Sequence, residues 1–354
     1  MRRVIFAIPG DLSTLTGGYG YDRRIIEKLP AFGVEAEHRT LPGSYPFPTG
    51  ADQAQSVETI LRDRRSDVVM IDGLAFGAMT ADVVRHIGSP LVALVHHPVG
   101  LEAGLSPQDA ARLVDCERAA LALADHVIVT SPATRATLVA DFGVEAVRIS
   151  VAEPGTDRAP RAQGSPPGAT LNLITVGAVV PRKGYDMLVA ALARVRDLDW
   201  RLRIVGSTVR EPACAAALRE QISQAGLQSR IELVGECDSA ALQPLYHASD
   251  LYVMSSHYEG YGMALAEGLG RGLPIVTTTG GAAADTVPDD AAIKVPPGDP
   301  VAFGDALRRL MSDAALRREL SDHAWRAAET LPRWEDAARI VAAVVEQVAR
   351  KAIA

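Results

Sequence analysis

Residues 251–280 read LYVMSSHYEGYGMALAEGLGRGLPIVTTTG. An apolar run (251–254) is followed by a glycine-rich loop, a helix-period stretch (262–271) and a second apolar run, PIVTT (274–278). The runs are continuously apolar rather than alternating, so they predict strands covered on both faces, as in parallel sheets wrapped by helices. The pattern repeats outward. Upstream lie LNLITVG (171–177), a helix from Tyr185, LRIVG (202–206), a helix over 212–224, IELVG (231–235) and a helix over 239–247; AAIKV (291–295) lies downstream. After Pro300 the chain reads as helical nearly to its end, with breaks near Leu331-Pro332. The first half has the same alternation: VIFAI (4–8), VVMID (68–72), LVALV (91–95), HVIVT (126–130) and VRISV (147–151), with helical segments around 19–30, 52–62, 106–124 and 133–140. Residues 153–170, EPGTDRAPRAQGSPPGAT, have no period and read as a linker.

The reading is therefore α/β, with two doubly wound domains facing a cleft and helices at the C-terminus. The expected boundaries are 1–157, a linker over 158–170, 171–330, and a terminal helix over 331–354 that can return to the first domain. Sheets of this kind bind ligands beyond the carboxyl ends of their strands, which places the expected chemistry in the cleft.

Composition narrows the partners. The 354 residues are 48% hydrophobic and 22% charged, the balance of a folded globular chain. Net charge is −7, with −5 over residues 1–160 and −2 over 161–354, so neither half carries a basic footprint for nucleic acid. Cys116, Cys214 and Cys237 are too scattered for a disulfide framework or a structural zinc site. The short N-terminal apolar run, ended by Pro9-Gly10-Asp11, predicts a first strand rather than a signal peptide. No run of about 18 apolar residues occurs, so no transmembrane segment is expected, and a cytoplasmic setting is the default.

Chemistry concentrates in Glu259-Gly260-Tyr261-Gly262-Met263-Ala264-Leu265-Ala266-Glu267, two glutamates eight apart around a glycine turn that opens a helix. Glycines permit close backbone approach, and a helix start offers N–H groups to a phosphate or hydroxyl. Spacing alone is equally that of a glycine turn with two surface glutamates. Asp197-Leu198-Asp199 has a metal-binding spacing, yet it falls between a helix and a strand and reads as surface loop. Gly18-x-Gly20 is followed by Arg23 where a dinucleotide fingerprint needs a third glycine. Pro42-Gly43-Ser44-Tyr45-Pro46-Phe47-Pro48 is a stiff, partly aromatic loop in the first half that can border a ligand.

The Glu259-to-Glu267 segment resembles the E-x7-E signature of retaining glycosyltransferases of family 4, which have the GT-B fold of two Rossmann-like domains. Other segments are similar in order and spacing. They are Val176-Gly177 with Pro181-Arg182-Lys183-Gly184, Leu273-Pro274-Ile275-Val276 with Gly280-Gly281, Val295-Pro296-Pro297-Gly298-Asp299, Pro154-Gly155-Thr156-Asp157 and Gly17-Gly18. The resemblance implies a hexosyltransferase that takes a UDP- or GDP-sugar as co-substrate, with no cofactor and no metal. The acceptor would be a small molecule, polysaccharide or lipid. Glu267 would hold the ribose hydroxyls and Glu259 the donor sugar. Gly260, Tyr261, Gly262 and Met263 would offer backbone N–H groups. Lys183 would neutralise the leaving diphosphate, with Gly177 and Val234 completing the nucleotide side.

Many members carry Arg directly after the glycine that ends the first donor strand; here Ala178 stands there, and Arg182 on the same loop is the candidate replacement. Gly17 and Gly18 would cradle the diphosphate. In Val95-His96-His97-Pro98, the resemblance favours His97 as the histidine that approaches the donor sugar, with His96 as the alternative. The rival functions are a sugar-nucleotide epimerase of the same fold, a non-catalytic nucleotide-sugar-binding subunit, and a nicotinamide dehydrogenase, which the failed fingerprint disfavours.

Overall fold

Each apolar run contains a strand, because a segment apolar on both faces is stable only between neighbouring strands and under helices. The computed structural model describes residues 1–63 and 66–352. The chain divides into two units, Met1–Gly155 with Pro332–Ala354, and Thr156–Leu331.

The first unit has a parallel six-stranded sheet. Its strands are β1 (Arg2–Pro9), β2 (Val34–Leu41), β3 (Val68–Asp72), β4 (Leu91–Val95), β5 (His126–Val129) and β6 (Ile149–Val151). They lie in the order β2-β1-β3-β4-β5-β6, which reverses between β1 and β3. Every residue of β3 and β4 is buried. Side chains such as Phe6, Ile71 and Leu94 are fully enclosed, each stabilising by roughly 1.5–3 kcal/mol. The helix Trp334–Lys351 belongs to this unit. Trp334, Ala338, Val341, Val345 and Val348 recur at three- and four-residue steps and bury one stripe of it. Trp334 meets Tyr21 edge-on at 5.8 Å. The ion pairs Lys28–Glu335 (3.2 Å) and Arg2–Glu346 (2.9 Å) are partly exposed, so the apolar stripe holds the helix and the pairs add little.

The second unit has its own parallel six-stranded sheet. Its strands are β7 (Leu171–Val176), β8 (Trp200–Val205), β9 (Ile231–Gly235), β10 (Leu251–Met254), β11 (Ile275–Thr278) and β12 (Ala292–Val295). The order is β12-β11-β10-β7-β8-β9, and it reverses between β7 and β10. Loops leaving those two strands therefore face each other at the switch point, where such sheets bind ligands.

Several sequence expectations need correction. The strand β2, VEAEHRTL, went unread because an edge strand is covered less and alternates polar with apolar residues. The helices Gly73–Phe76 and Ala81–Ile87 were missed for their shortness, and the break at Asp313 was hidden inside continuous helical pattern. The units divide at Gly155/Thr156 and Leu331/Pro332, beside the expected boundaries at 157/158 and 330/331.

The segment 158–170 is tied to the second unit rather than free-standing. Ala162 N–H donates to Arg271 O (2.9 Å), and Gln163 and Gly164 N–H both donate to His247 O (2.9 and 3.1 Å). The Asp250 carboxylate accepts from the N–H groups of Ser165 (2.8 Å) and Asn172 (2.7 Å). Most of these bonds run through the backbone and leave no side-chain periodicity to read.

Candidate functional site

In the second unit, β7 runs into Gly177 and a turn that ends in Pro181–Lys183, while β10 runs into residues 255–262. Neighbouring strands bring the two loops into register. His257 N–H donates to Arg182 O (2.8 Å), and the Ser255 hydroxyl donates to Lys183 O (2.8 Å). The Lys183 ammonium then reaches Glu259 Oε1 at 2.7 Å, and the Arg182 guanidinium lies 3.3 Å from the same oxygen. Arg182 also donates to Tyr258 O at 2.7 Å.

Glu259 is 6% exposed. Its backbone is held on both sides, N–H to Gly280 O (3.1 Å) and C=O from Ala282 N–H (2.8 Å). Burial is the largest influence on its carboxyl and pushes the pKa up. The Lys183 charge and then the Arg182 charge outweigh that and hold it down at about 2. A Cβ on Gly177 would lie 2.8 Å from Lys183 Cε, so a side chain there would push the lysine stem aside. The Gly177 carbonyl accepts from the Tyr185 hydroxyl at 2.9 Å. The structure thus joins Gly177, Arg182, Lys183 and Glu259 into one charged cluster.

Glu267 belongs to a second cluster. Gly262, at φ 93°, turns the chain into the helix Met263–Leu269, which carries Glu267. The fully buried Tyr246 donates its hydroxyl to Glu267 Oε2 at 2.9 Å. Arg271 donates to Glu267 O (2.8 Å) and lies 4.0 Å above the Tyr246 ring. Burial raises the Glu267 carboxyl, Arg271 and Tyr246 oppose that, and Asp157 adds to the rise. Tyr246 and Arg271 escaped sequence reading because only the fold brings their helix and turn beside Glu267.

Of the remaining candidates, Tyr261 is buried and its carbonyl accepts from the Thr286 hydroxyl. Gly260 and Met263 are half-buried. Val234 packs against the apolar cluster around Tyr246 and Tyr252. The Asp197 carboxylate is bound twice by Arg308, at 2.7 Å each, and Asp199 accepts from the Thr170 hydroxyl at 2.7 Å. Both are committed to fold contacts.

In the first unit, Thr16 caps the helix Gly17–Lys28, which starts with Gly17 and Gly18. A Cβ on Gly18 would meet His96 Cδ2 at 3.3 Å. His96 directly follows β4, and its Nε2 lies 3.1 Å from Asp22 Oδ1 and 3.5 Å from Asp72 Oδ2. Asp72 ends β3 and is buried; Asp22 is fully buried, one helical turn past Gly18. Burial pushes the His96 imidazole down. The charge and hydrogen bond of Asp22, then those of Asp72, outweigh it and raise the pKa to about 10. Burial likewise lifts Asp22 to about 6.

His97, the histidine favoured by the sequence, is half-buried at the next position, but the carboxylate geometry gathers around His96. Sequence reading missed Asp22 and Asp72; their signal was an acidic residue at the end of an apolar strand and another four residues past a glycine pair. Among the described residues, Asp22, Asp72 and His96 form a group of metal-ligating type, with ligand atoms within 4.8 Å of one another. In the loop 42–48, Tyr45 is buried and shares a 2.9 Å hydrogen bond with Ser56, while Arg112 lies 5.6 Å from the Phe47 ring.

Comparison with known proteins bears on both units. Residues 11–155 match the family model "Glycosyl transferase 4-like domain", and residues 170–313 match "Glycosyl transferases group 1". A D-inositol 3-phosphate glycosyltransferase of Xylanimonas cellulosilytica is 27% identical over 74% of this chain and 67% of its own. An "MMP alpha-(1->4)-mannosyltransferase" of Mycolicibacterium hassiacum is 27% identical over 85% of this chain and 76% of its own. The chain spans 67%, 62% and 60% of the length of the D-inositol 3-phosphate glycosyltransferases of Xylanimonas cellulosilytica, Kineococcus radiotolerans and Thermobifida fusca. Sucrose-phosphate synthase from Thermosynechococcus elongatus superposes with a TM-score of 0.83 at 23% identity, covering 99% of this chain and 100% of its own. Among the described residues, no helix is long and apolar enough to cross a membrane.

Proposed function

The chain belongs to the family-4 glycosyltransferases and has the GT-B fold, and from that premise we propose that it moves a sugar from a nucleoside-diphosphate sugar to an acceptor hydroxyl, with retention of anomeric configuration and without a metal ion. The observation that carries this reading is the pairing of Lys183 and Arg182 with buried Glu259 at the switch point of the second sheet. Two cations fixed on one carboxylate supply preformed charge for a leaving diphosphate, and Glu259 is freed for sugar hydroxyls as Lys183 turns to phosphate. Glu267, oriented by Tyr246, would accept from the ribose hydroxyls. Gly260, Tyr261, Gly262 and Met263 would add backbone N–H groups, and Gly177 and Val234 would border the nucleotide. In the first unit, Gly17 and Gly18 would approach phosphate, and His97 or its neighbour His96, which Asp22 and Asp72 hold, would approach the donor sugar.

In the reaction the bond between the anomeric carbon and the diphosphate oxygen breaks. The acceptor oxygen bonds that carbon on the same face, and its proton passes to the departing diphosphate. A nucleotide-sugar donor would be in keeping with a reaction in the cytoplasm. Inositol phosphates, named for the bacterial relatives, are the first acceptors to try.

The test is a thermal-shift screen of UDP, GDP and their sugars, followed by NMR of the glycoside formed. A ligand at 100 times its Kd adds about 2.7 kcal/mol of stability. An α-linked product from an α-linked donor, with one nucleoside diphosphate released per glycoside, is the expected result. Inverted configuration, or release of nucleotide with no glycoside, would overturn the reading.

A further inference from the structure

We propose that Asp22 and Asp72 clamp His96 as a permanent imidazolium, so that the ligand end of the first sheet carries a hydrogen-bond donor that cannot act as a base. The geometry starts with Nε2, which faces both carboxylates at 3.1 and 3.5 Å. Ionised carboxylates only accept, so Nε2 carries a proton. The second proton, on Nδ1, follows from charge. Asp22 is fully buried and Asp72 nearly so, and among the described residues Asp22 Oδ2 has no hydrogen-bond partner. Two buried carboxylates beside a neutral ring would leave two uncompensated negative charges, which a protein interior tolerates poorly. Asp72 cannot turn away, because its Oδ1 caps the helix Gly73–Phe76 through Leu74 N–H at 3.0 Å.

The other neighbours leave the charge balance to His96. From the helix Gly17–Lys28, the Tyr21 ring meets the imidazole edge-on at 5.2 Å, and its hydroxyl is committed to Ala152 O at 2.9 Å. Burial pushes that hydroxyl far up, so it stays uncharged. Arg23 on the same helix acts on Asp22 more weakly than His96 does. From the end of β5, the Thr130 hydroxyl donates to the His96 carbonyl at 3.4 Å. The raised imidazole pKa agrees with this arrangement.

The consequence is chemical. A doubly protonated ring donates and never accepts, so His96 cannot take the proton of an attacking hydroxyl. It can hold an oxygen of the bound ligand, and the identity of that ligand rests on the transferase reading. Asp22 and Asp72 are then positioning residues, acting through His96. This also accounts for the glycine at position 18, since a side chain there would press on the ring.

Nitrogen NMR of the full chain with labelled histidine tests the clamp without any substrate, with His96→Gln assigning the signal. Both His96 ring nitrogens should stay in the protonated range from about pH 5.5 to 8.5. Asp22→Asn and Asp72→Asn, the latter still able to cap its helix, should each lower the midpoint toward the ordinary histidine value near 6.5, at least a tenfold weaker hold on the proton. A wild-type His96 that titrates below about pH 8 or is neutral throughout overturns the proposal. So does a double Asn variant that fails to titrate, or a signal that changes on chelation. If a variant does not fold, the wild-type spectrum alone decides. In kinetics, Asp72→Asn should give kcat/KM a new alkaline fall near neutral pH, whereas a merely structural role would lower the whole profile evenly. A clamped imidazolium in a protein that transfers no sugar would refute the transferase reading and leave the clamp standing.

Discussion

Lys183→Met removes the charge at the centre of the second unit's cluster and keeps most of the side-chain volume. Glu259 has a carboxyl depressed from 4.5 to about 2, which corresponds to about 3 kcal/mol of stability at pH 7. Because the folded value is the lower one, this contribution is present above pH 4.5 and is lost as pH falls through about 2. Lys183 is the nearer cation, at 2.7 Å against 3.3 Å for Arg182. Its loss should therefore remove more than half of the effect, about 2 kcal/mol, with Arg182 retaining the rest.

Denaturant unfolding at pH 7 gives the total. Hydrogen exchange of peptides covering 171–193 and 251–269 assigns it to the second unit. The double variant Lys183→Met/Glu259→Gln removes both charges, so it should regain at least about 1 kcal/mol over Lys183→Met alone. If Lys183→Met stays within about 0.5 kcal/mol of wild type, the cluster is a solvated surface pair and the argument from buried charge fails. Turnover should meanwhile fall by about 10²-fold or more, the usual cost of one preorganised charge-stabilising donor.

Three further outcomes follow from the same geometry. Glu267→Ala should weaken binding of the free nucleoside diphosphate by about 1.5–3 kcal/mol in titration calorimetry, as a charged hydrogen-bonding partner is lost; unchanged affinity would remove Glu267 from the ribose. Burial lifts the Glu117 carboxyl from 4.5 to about 8, so its contribution to stability is complete below pH 4.5 and declines as pH rises through about 8. Wild type should accordingly lose a few kcal/mol relative to Glu117→Gln between about pH 5 and 8, and parallel pH–stability curves would show that the carboxyl is solvated. Sugar transfer should survive EDTA, because Lys183 and Arg182 offer the charge a divalent ion would bring; activity lost on chelation and restored only by Mn²⁺ or Mg²⁺ would overturn the metal-free reading.

Every strand but β2, the helices 212–224, 239–247 and most others, and the glycine loop before Glu267 were determined by the sequence itself. Each is a local matter: apolar continuity reports burial on both faces, and glycine reports a turn or a close approach. The family likewise followed from local motifs, because Lys183, Glu259 and Glu267 each sit in a recognisable short context. What tertiary structure alone decided is partnership. Lys183 meets Glu259 across 76 residues only because β7 and β10 are neighbours at the point where the sheet order reverses. Tyr246 reaches Glu267 from another helix. Asp72 and His96 meet because β3 pairs with β4, and Asp22 joins them from the helix that follows β1, which pairs with β3 on its other side. Periodicity records how deeply a residue is buried and is silent on which strand lies beside it. Charges become a site only through that choice of neighbour, which the packing of the whole unit makes.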